Sequence, residues 1–253
     1  MTNKIIEIKT FGKINTKLDV KRLKRGQKLH KVRTIMFPYE KQFDRIILTP
    51  STIAKTYVTT NNPLIDCNNN SLLKAYDLFV RVFPETGEFP LHFELEKNSL
   101  VGSGLGFSAS NAVGVIKLCC TFFKINFLTK KVKKIVKQLG SDALFFYFAK
   151  PAVVSGVGNK IKLLTKKQIK KFAITNVKII NSEIPSYAQA VFQQLDQKYD
   201  YYQKLVNRNN NYYNILQQPA FDLNPQLAKK YQALKNNYSH VMLAGSGGSF
   251  LVW

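Results

Sequence analysis

Residues 100–116, LVGSGLGFSASNAVGVI, place three glycines and three serines in the nine positions 102–110 and then run directly into an apolar segment. Glycine lets a backbone approach an anion closely, and the unbonded N–H groups and dipole of a helix N-terminus attract negative charge without any cationic side chain. Gly102, Ser103, Gly104, Leu105, Gly106, Ser108, Ser110 and Asn111 are therefore candidates to hold phosphate. The stretch lacks the G-x-x-x-x-G-K-[ST] pattern, and GSGLG is one residue short of the dinucleotide fingerprint. A tight turn with serine caps has the same composition, so the loop needs a partner motif. Three segments offer one: FGKIN (11–15) with Lys13, LGSDALFF (139–146) with Asp142, and a second Gly/Ser turn, AGSGGS (244–249). A lone lysine is ordinarily a surface residue and a lone aspartate a turn or cap residue. Taken jointly, the order lysine, Gly/Ser loop, aspartate, Gly/Ser turn carries more weight than any of these residues alone.

These residues must be positioned by a mixed fold. IIEIKTFGKINTKLDV starts with apolar/polar alternation and predicts extended chain broken near Gly12, while RIILTP (45–50), AKTYVTT (54–60) and LHFELEK (91–97) predict further strands. SLLKAYDLFVRVF puts Leu72, Tyr76, Phe79, Val80 and Phe83 on one helical face. The glycine loop thus joins a strand to a helix whose first turn carries Ser108–Asn111. Helical periodicity resumes in KKVKKIVKQLG, with Gly140 at a helix C-terminus. PAVVSGVGNKIKLL (151–164) predicts a hairpin and ITNVKII (174–180) a strand, followed by a polar helical stretch around 186–236 and a last strand-like piece, HVMLAGSGGSFLVW.

The bulk properties narrow the function class. The chain has 253 residues, 45% of them hydrophobic, which is globular composition and not disorder. The net charge of +23, from 38 basic and 15 acidic residues, suits an anionic ligand, nucleic acid or a membrane surface. It is spread thinly, however, in runs such as KKVKK and KKQIKK that ordinarily form solvated faces. Cys67, Cys119 and Cys120 and the scattered His30, His92 and His240 have no metal-ligand spacing. MTNKIIEIKTFG has no secretory apolar core and no run reaches the ~18 apolar residues of a membrane span, so the expected location is the cytoplasm.

The order lysine, Gly/Ser loop, aspartate, Gly/Ser turn resembles the GHMP kinase superfamily and, within it, the 4-diphosphocytidyl-2-C-methyl-D-erythritol kinases. The family's P-A-K-I-N is similar to Phe11–Asn15, its H-E-L-E-T-V-M to His30–Met36 and its N-L-x-x-K-A to Asn70–Ala75. Its glycine block resembles Lys97–Val113, its L-G-[AS]-D-V-P-[FV]-F resembles Leu139–Phe146, and its final G-S-G resembles Gly245–Gly247. The resemblance implies an α+β fold of two lobes, an α/β ATP-binding domain over 1–160 and a ferredoxin-like domain over 161–253 that ends soon after the third motif. It implies Asp142 as general base and Lys13 as its cationic partner. Asn70, Ser71 and Lys97 would line the adenine, the loop 102–111 would hold the ATP phosphates, and Ser108 or Ser110 would lie near a magnesium ion. Asn15, His30, Phe221, Gly245, Ser246 and Gly247 would face a small-molecule substrate, a cytidine diphosphate-linked polyol, with His30 reading the cytosine and Phe221 stacking on it. ATP and Mg are thus the implied cofactors. Neither nucleic acid nor membrane is an expected partner, and a homodimer is left open. The chain departs from the family pattern at Leu29, Leu100, Phe107, Ser108 and Ala109, and Phe107 sets a bulky side chain where bare backbone is expected. Two alternatives stay open: another small alcohol as acceptor, and a degenerate kinase fold that binds nucleic acid or protein.

Overall fold

The computed structural model describes residues 5–253. Two compact units share the chain. The first takes the chain up to Gly12, Tyr39–Ser99 and Gly106–Ala149, and the second takes Lys13–Pro38, Leu100–Leu105 and Lys150–Trp253.

Two long strands contribute to both units. Strand β1 (Ile6–Val20) runs straight through Gly12, where the sequence predicted a break, because sheet pairing overrides the weak strand preference of one glycine. Strand β2 (Val32–Pro50) is 19 residues long, although only its last six residues alternate clearly enough to be legible as a strand. In the first unit β2 pairs antiparallel with β4 (Leu91–Glu96), from Arg45 opposite Glu96 to Pro50 opposite Leu91, and β4 pairs parallel with β3 (Tyr57–Thr60). Helix α1 (Ser71–Val82) buries Leu72, Ala75, Tyr76 and Phe79 and packs on α2 (Phe107–Phe122). α2 reads as apolar on nearly every side, and it is buried accordingly. Helices α3 (Lys130–Val136) and α4 (Ala143–Phe148) complete this unit, with Thr129 capping α3 through the Val132 N–H.

In the second unit β2 pairs with β5 (Ala152–Gly156), which forms the expected hairpin with β6 (Lys160–Leu163). Helix α5 (Lys166–Phe172) starts from a capping box built by Thr165 and Gln168. Strands β7 (Lys178–Asn181), β9 (Val241–Leu243) and β10 (Ser249–Val252) form an antiparallel sheet with β10 in the centre. The polar stretch after β7 contains α6 (Ala188–Gln197), α7 (Tyr199–Leu205), the two-residue β8 (Tyr213–Asn214) parallel to β1, α8 (Gln217–Leu223) and α9 (Pro225–Lys235). Its core gathers Leu18, Val191, Leu195, Tyr202, Phe221 and Phe250. No helix among the described residues is long and apolar enough to cross a membrane.

Candidate active site

In the second unit two glycine turns lie backbone against backbone. Gly104 has φ +76°, and a Cβ there would fall on the carbonyl oxygens of Ala244 and Gly247. A Cβ on Gly248 would likewise fall on the carbonyl of Gly102, so neither contact point accepts any side chain. Lys13 belongs to this arrangement. It is 4% exposed, its N–H donates to the Leu105 carbonyl at 2.8 Å, and its Nζ donates to the Gly104 carbonyl at 2.8 Å and to Asn15 Oδ1 at 2.7 Å. Asn15 is itself oriented by donating Nδ2 to Thr34 Oγ1 at 2.7 Å. The third-motif turn is fixed by side chains from elsewhere in this unit: Ser186 Oγ donates to the Ser246 carbonyl, and Asn214 Nδ2 donates to the carbonyls of Leu243 and Gly245. The structure therefore brings Lys13, Asn15, Gly102, Ser103, Gly104, Leu105, Gly245, Ser246 and Gly247 together.

In the first unit the chain leaves the loop through Gly106, the N-cap of α2 at φ +77°, and no side chain caps that helix. The first-turn N–H groups are thus left without a cap from the protein's own side chains, the condition under which a helix end attracts an anion. Ser108 is exposed, whereas Ser110 and Asn111 are buried. Phe107 is 4% exposed, and its ring lies 4.8 Å from the Lys97 ammonium. Lys97 is held by Asp44 at 2.6 Å and by Ser99 Oγ. Burial pushes the Lys97 ammonium below its usual pKa, and Asp44 pulls it back up. Asp142 occupies the N-cap position of α4, but its side chain does not cap the helix; its carbonyl accepts from the N–H groups of Phe145 and Phe146.

Three expectations change. Asn70 does not present its amide to a base: Oδ1 caps α1 through the N–H groups of Leu72 and Leu73, and Nδ2 donates to the carbonyls of Asp66 and Cys67. Both amide atoms are saturated in this way. Asn111 is 2% exposed, and its side chain bonds Thr10 and Asp44 instead of a ligand. Phe221 is 7% exposed and packs on Tyr231 and Phe250, so it is a core residue and not a stacking surface. The ring that lies beside His30 is Phe192, half-buried on α6, at 4.9 Å between centroids. Asp196, one turn further along α6, receives His30 Nε2 at 2.8 Å. No sequence signal marked either residue, since they lie more than 160 positions from the histidine they meet. Ser71 opens α1, half-buried.

The model for the GHMP kinases N terminal domain matches residues 70–150, which include the glycine loop and Asp142. A Thermosipho melanesiensis protein named 4-diphosphocytidyl-2-C-methyl-D-erythritol kinase is 30% identical to this chain, over 96% of this chain and 88% of its own length. The chain belongs to that kinase family. A relative of the same name from Azobacteroides pseudotrichonymphae is 29% identical over 94% of this chain and 89% of its own. Among solved structures, a 4-(cytidine 5'-diphospho)-2C-methyl-D-erythritol kinase superposes with a TM-score of 0.73 at 22% identity, covering 98% of this chain and 89% of that one. Mevalonate kinase from Methanococcus jannaschii superposes with a TM-score of 0.62 at 13% identity, covering 99% and 90%. The α+β, two-lobed GHMP kinase fold read from the sequence is the fold of this kinase. Of its departures from the family pattern, Phe107 is buried and Leu29, beside His30 in the chain, is exposed.

Proposed function

We propose that this chain transfers the γ-phosphoryl group of ATP to the 2-hydroxyl of 4-diphosphocytidyl-2-C-methyl-D-erythritol. The observation that carries this reading is the Lys13 ammonium held 2.8 Å from the Gly104 carbonyl, at the point where the two glycine turns meet. A cation fixed at a phosphate loop stabilises the charge that spreads over a transferring phosphoryl group, and it costs no reorganisation during the reaction.

The remaining roles follow from chemistry. Asp142 takes the proton from the acceptor hydroxyl. The backbone of 102–106 and the uncapped start of α2 hold the phosphates. Magnesium supplies charge neutralisation across the phosphates when bound. Exposed Ser108 suits the one hydroxyl ligand better than buried Ser110. Lys97 and Ser71 stay with the nucleotide, the lysine through its place at the entrance to the loop. His30, oriented by Asp196, reads the edge of the cytosine while Phe192 offers a flat face. Asn15 and the turn 245–247 face the polyol.

ADP release from Mg-ATP tests the reading, with the cytidylyl substrate set beside cytidine-free alcohols and an Asp142→Asn control. Turnover confined to the cytidylyl substrate and abolished by Asp142→Asn is expected. Equal turnover on alcohols without cytidine would remove the substrate assignment, and turnover that survives Asp142→Asn would remove the base.

A further inference from the structure

The carboxylate of Asp44 is fully buried, at 0% exposure, and accepts five hydrogen bonds. Oδ1 receives the backbone N–H groups of Asn98 at 3.0 Å and Ser99 at 2.9 Å. Oδ2 receives Lys97 Nζ at 2.6 Å, Ser99 Oγ at 3.1 Å and Asn111 Nδ2 at 2.9 Å. Thr10 Oγ1 donates to Asn111 Oδ1 at 2.6 Å, which fixes the Asn111 amide with its NH2 toward Asp44. Three of these partners, Lys97, Asn98 and Ser99, are the residues that lead into the glycine loop. Asn111 lies in the helix that leads out of it. One carboxylate therefore holds both ends of the 100–106 turn.

Stability alone does not account for the arrangement. Replacing a buried ion pair by apolar residues of similar volume is often neutral or stabilising, and what such packing lacks is direction. Five donors converging on one carboxylate fix the separation and orientation of the two segments they come from. The Lys97 ammonium adds to this by covering the ring of Phe107, the first residue of α2, at 4.8 Å.

We propose that Asp44 is a positioning residue for the nucleotide: by tying the entry and exit of the glycine loop to one point, it sets the loop in the conformation that receives the ATP phosphates. The inference rests on the kinase reading above. Its consequence is that the network supports affinity for Mg-ATP and leaves affinity for the alcohol substrate alone.

Two variants test this. Asp44→Asn keeps the shape and removes the charge, and Asn111→Ala keeps the Lys97–Asp44 pair while cutting the tie to the helix together with the Thr10 bond. Mg-ATP affinity by calorimetry and amide exchange of the peptides covering 98–111 are read for both beside the unmodified chain. The expected result is a loss of Mg-ATP affinity of about tenfold, equivalent to one lost hydrogen bond to a charged group. Faster exchange across 99–106 should accompany it, with KM for the alcohol unchanged. Folded variants that only melt earlier, with Mg-ATP affinity and loop exchange unchanged, would overturn the proposal, because that is the signature of a purely structural pair. Should Asp44→Asn fail to fold, Asn111→Ala decides alone. If the unmodified chain binds no Mg-ATP, the kinase reading fails, and the exchange comparison still decides whether Asp44 sets the turn.

Discussion

The two glycine turns of this kinase are held in different ways. The first, 100–106, is held at its ends by side chains: Asp44, Lys97, Ser99 and Asn111 form one buried polar cluster, and the Phe107 ring lies against Lys97. The second, 244–249, meets the backbone of Gly102 and Gly104 directly, with no side chain between them, and its carbonyls are fixed by Ser186 and Asn214 from elsewhere in the chain. The contrast shows how a loop can be both open and fixed. A turn that must leave its own amides available for a ligand cannot be stiffened by side chains of its own, so it is clamped from its flanks and backed by another bare turn.

The sharpest way to break this division of labour is at the flank. Phe107 is buried, and truncating it should harm this chain. Phe107→Ala removes a buried ring and uncovers the Lys97 ammonium, and the expected loss is about 3–5 kcal/mol in urea unfolding. A neutral result would mean that Lys97 and Asp44 hold the flank without the ring. Next in size is Gly104→Ala, which combines a positive φ with a methyl group directed at the carbonyls of Ala244 and Gly247. Its expected cost is roughly 2–4 kcal/mol, with Mg-ATP affinity lost in parallel. Full Mg-ATP affinity in this variant would show that the second turn is not the backing of the first.

The same contrast explains what the sequence could disclose. The bare turns were legible, since glycines, Lys13 and Asp142 are unusual residue types at informative spacings. The clamps were not. A buried aspartate such as Asp44 looks like any surface aspartate until the fold supplies five donors, and it stands in a part of β2 where Glu40, Lys41 and Asp44 mask the alternation. Gly12 suggested a break in β1 because a local propensity was weighed without the neighbouring strands that override it. Phe221 and Phe192 were indistinguishable as aromatics near polar residues. Only the packing shows that one lies in the core and the other beside His30. Asn70 caps α1 and, for that reason, has no amide atom left over for a nucleotide base, which only the structure shows.

Two smaller perturbations sharpen the comparison. Asn214 is the side chain that carries the second turn, donating to the carbonyls of Leu243 and Gly245 at 2.9 and 2.6 Å while its Oδ1 accepts from the Leu216 N–H. Asn214→Ala leaves these buried groups unsatisfied at a cost of about 2 kcal/mol. Because the turn backs the loop through its middle, Mg-ATP affinity should fall with stability; a fall in stability alone would confine Asn214 to the second turn.

Gly26 supplies the reference for all of these. It shares the positive φ of the loop glycines, at +80°, yet nothing lies within 4 Å of the position a Cβ would take. Gly26→Ala therefore isolates conformational strain from collision, and its expected cost is about 1 kcal/mol by urea unfolding. The excess of Gly104→Ala over Gly26→Ala then measures the backing contact itself. Equal costs at the two positions would mean that the second turn yields when pressed, and that the rigidity of the phosphate loop comes from its flanks alone.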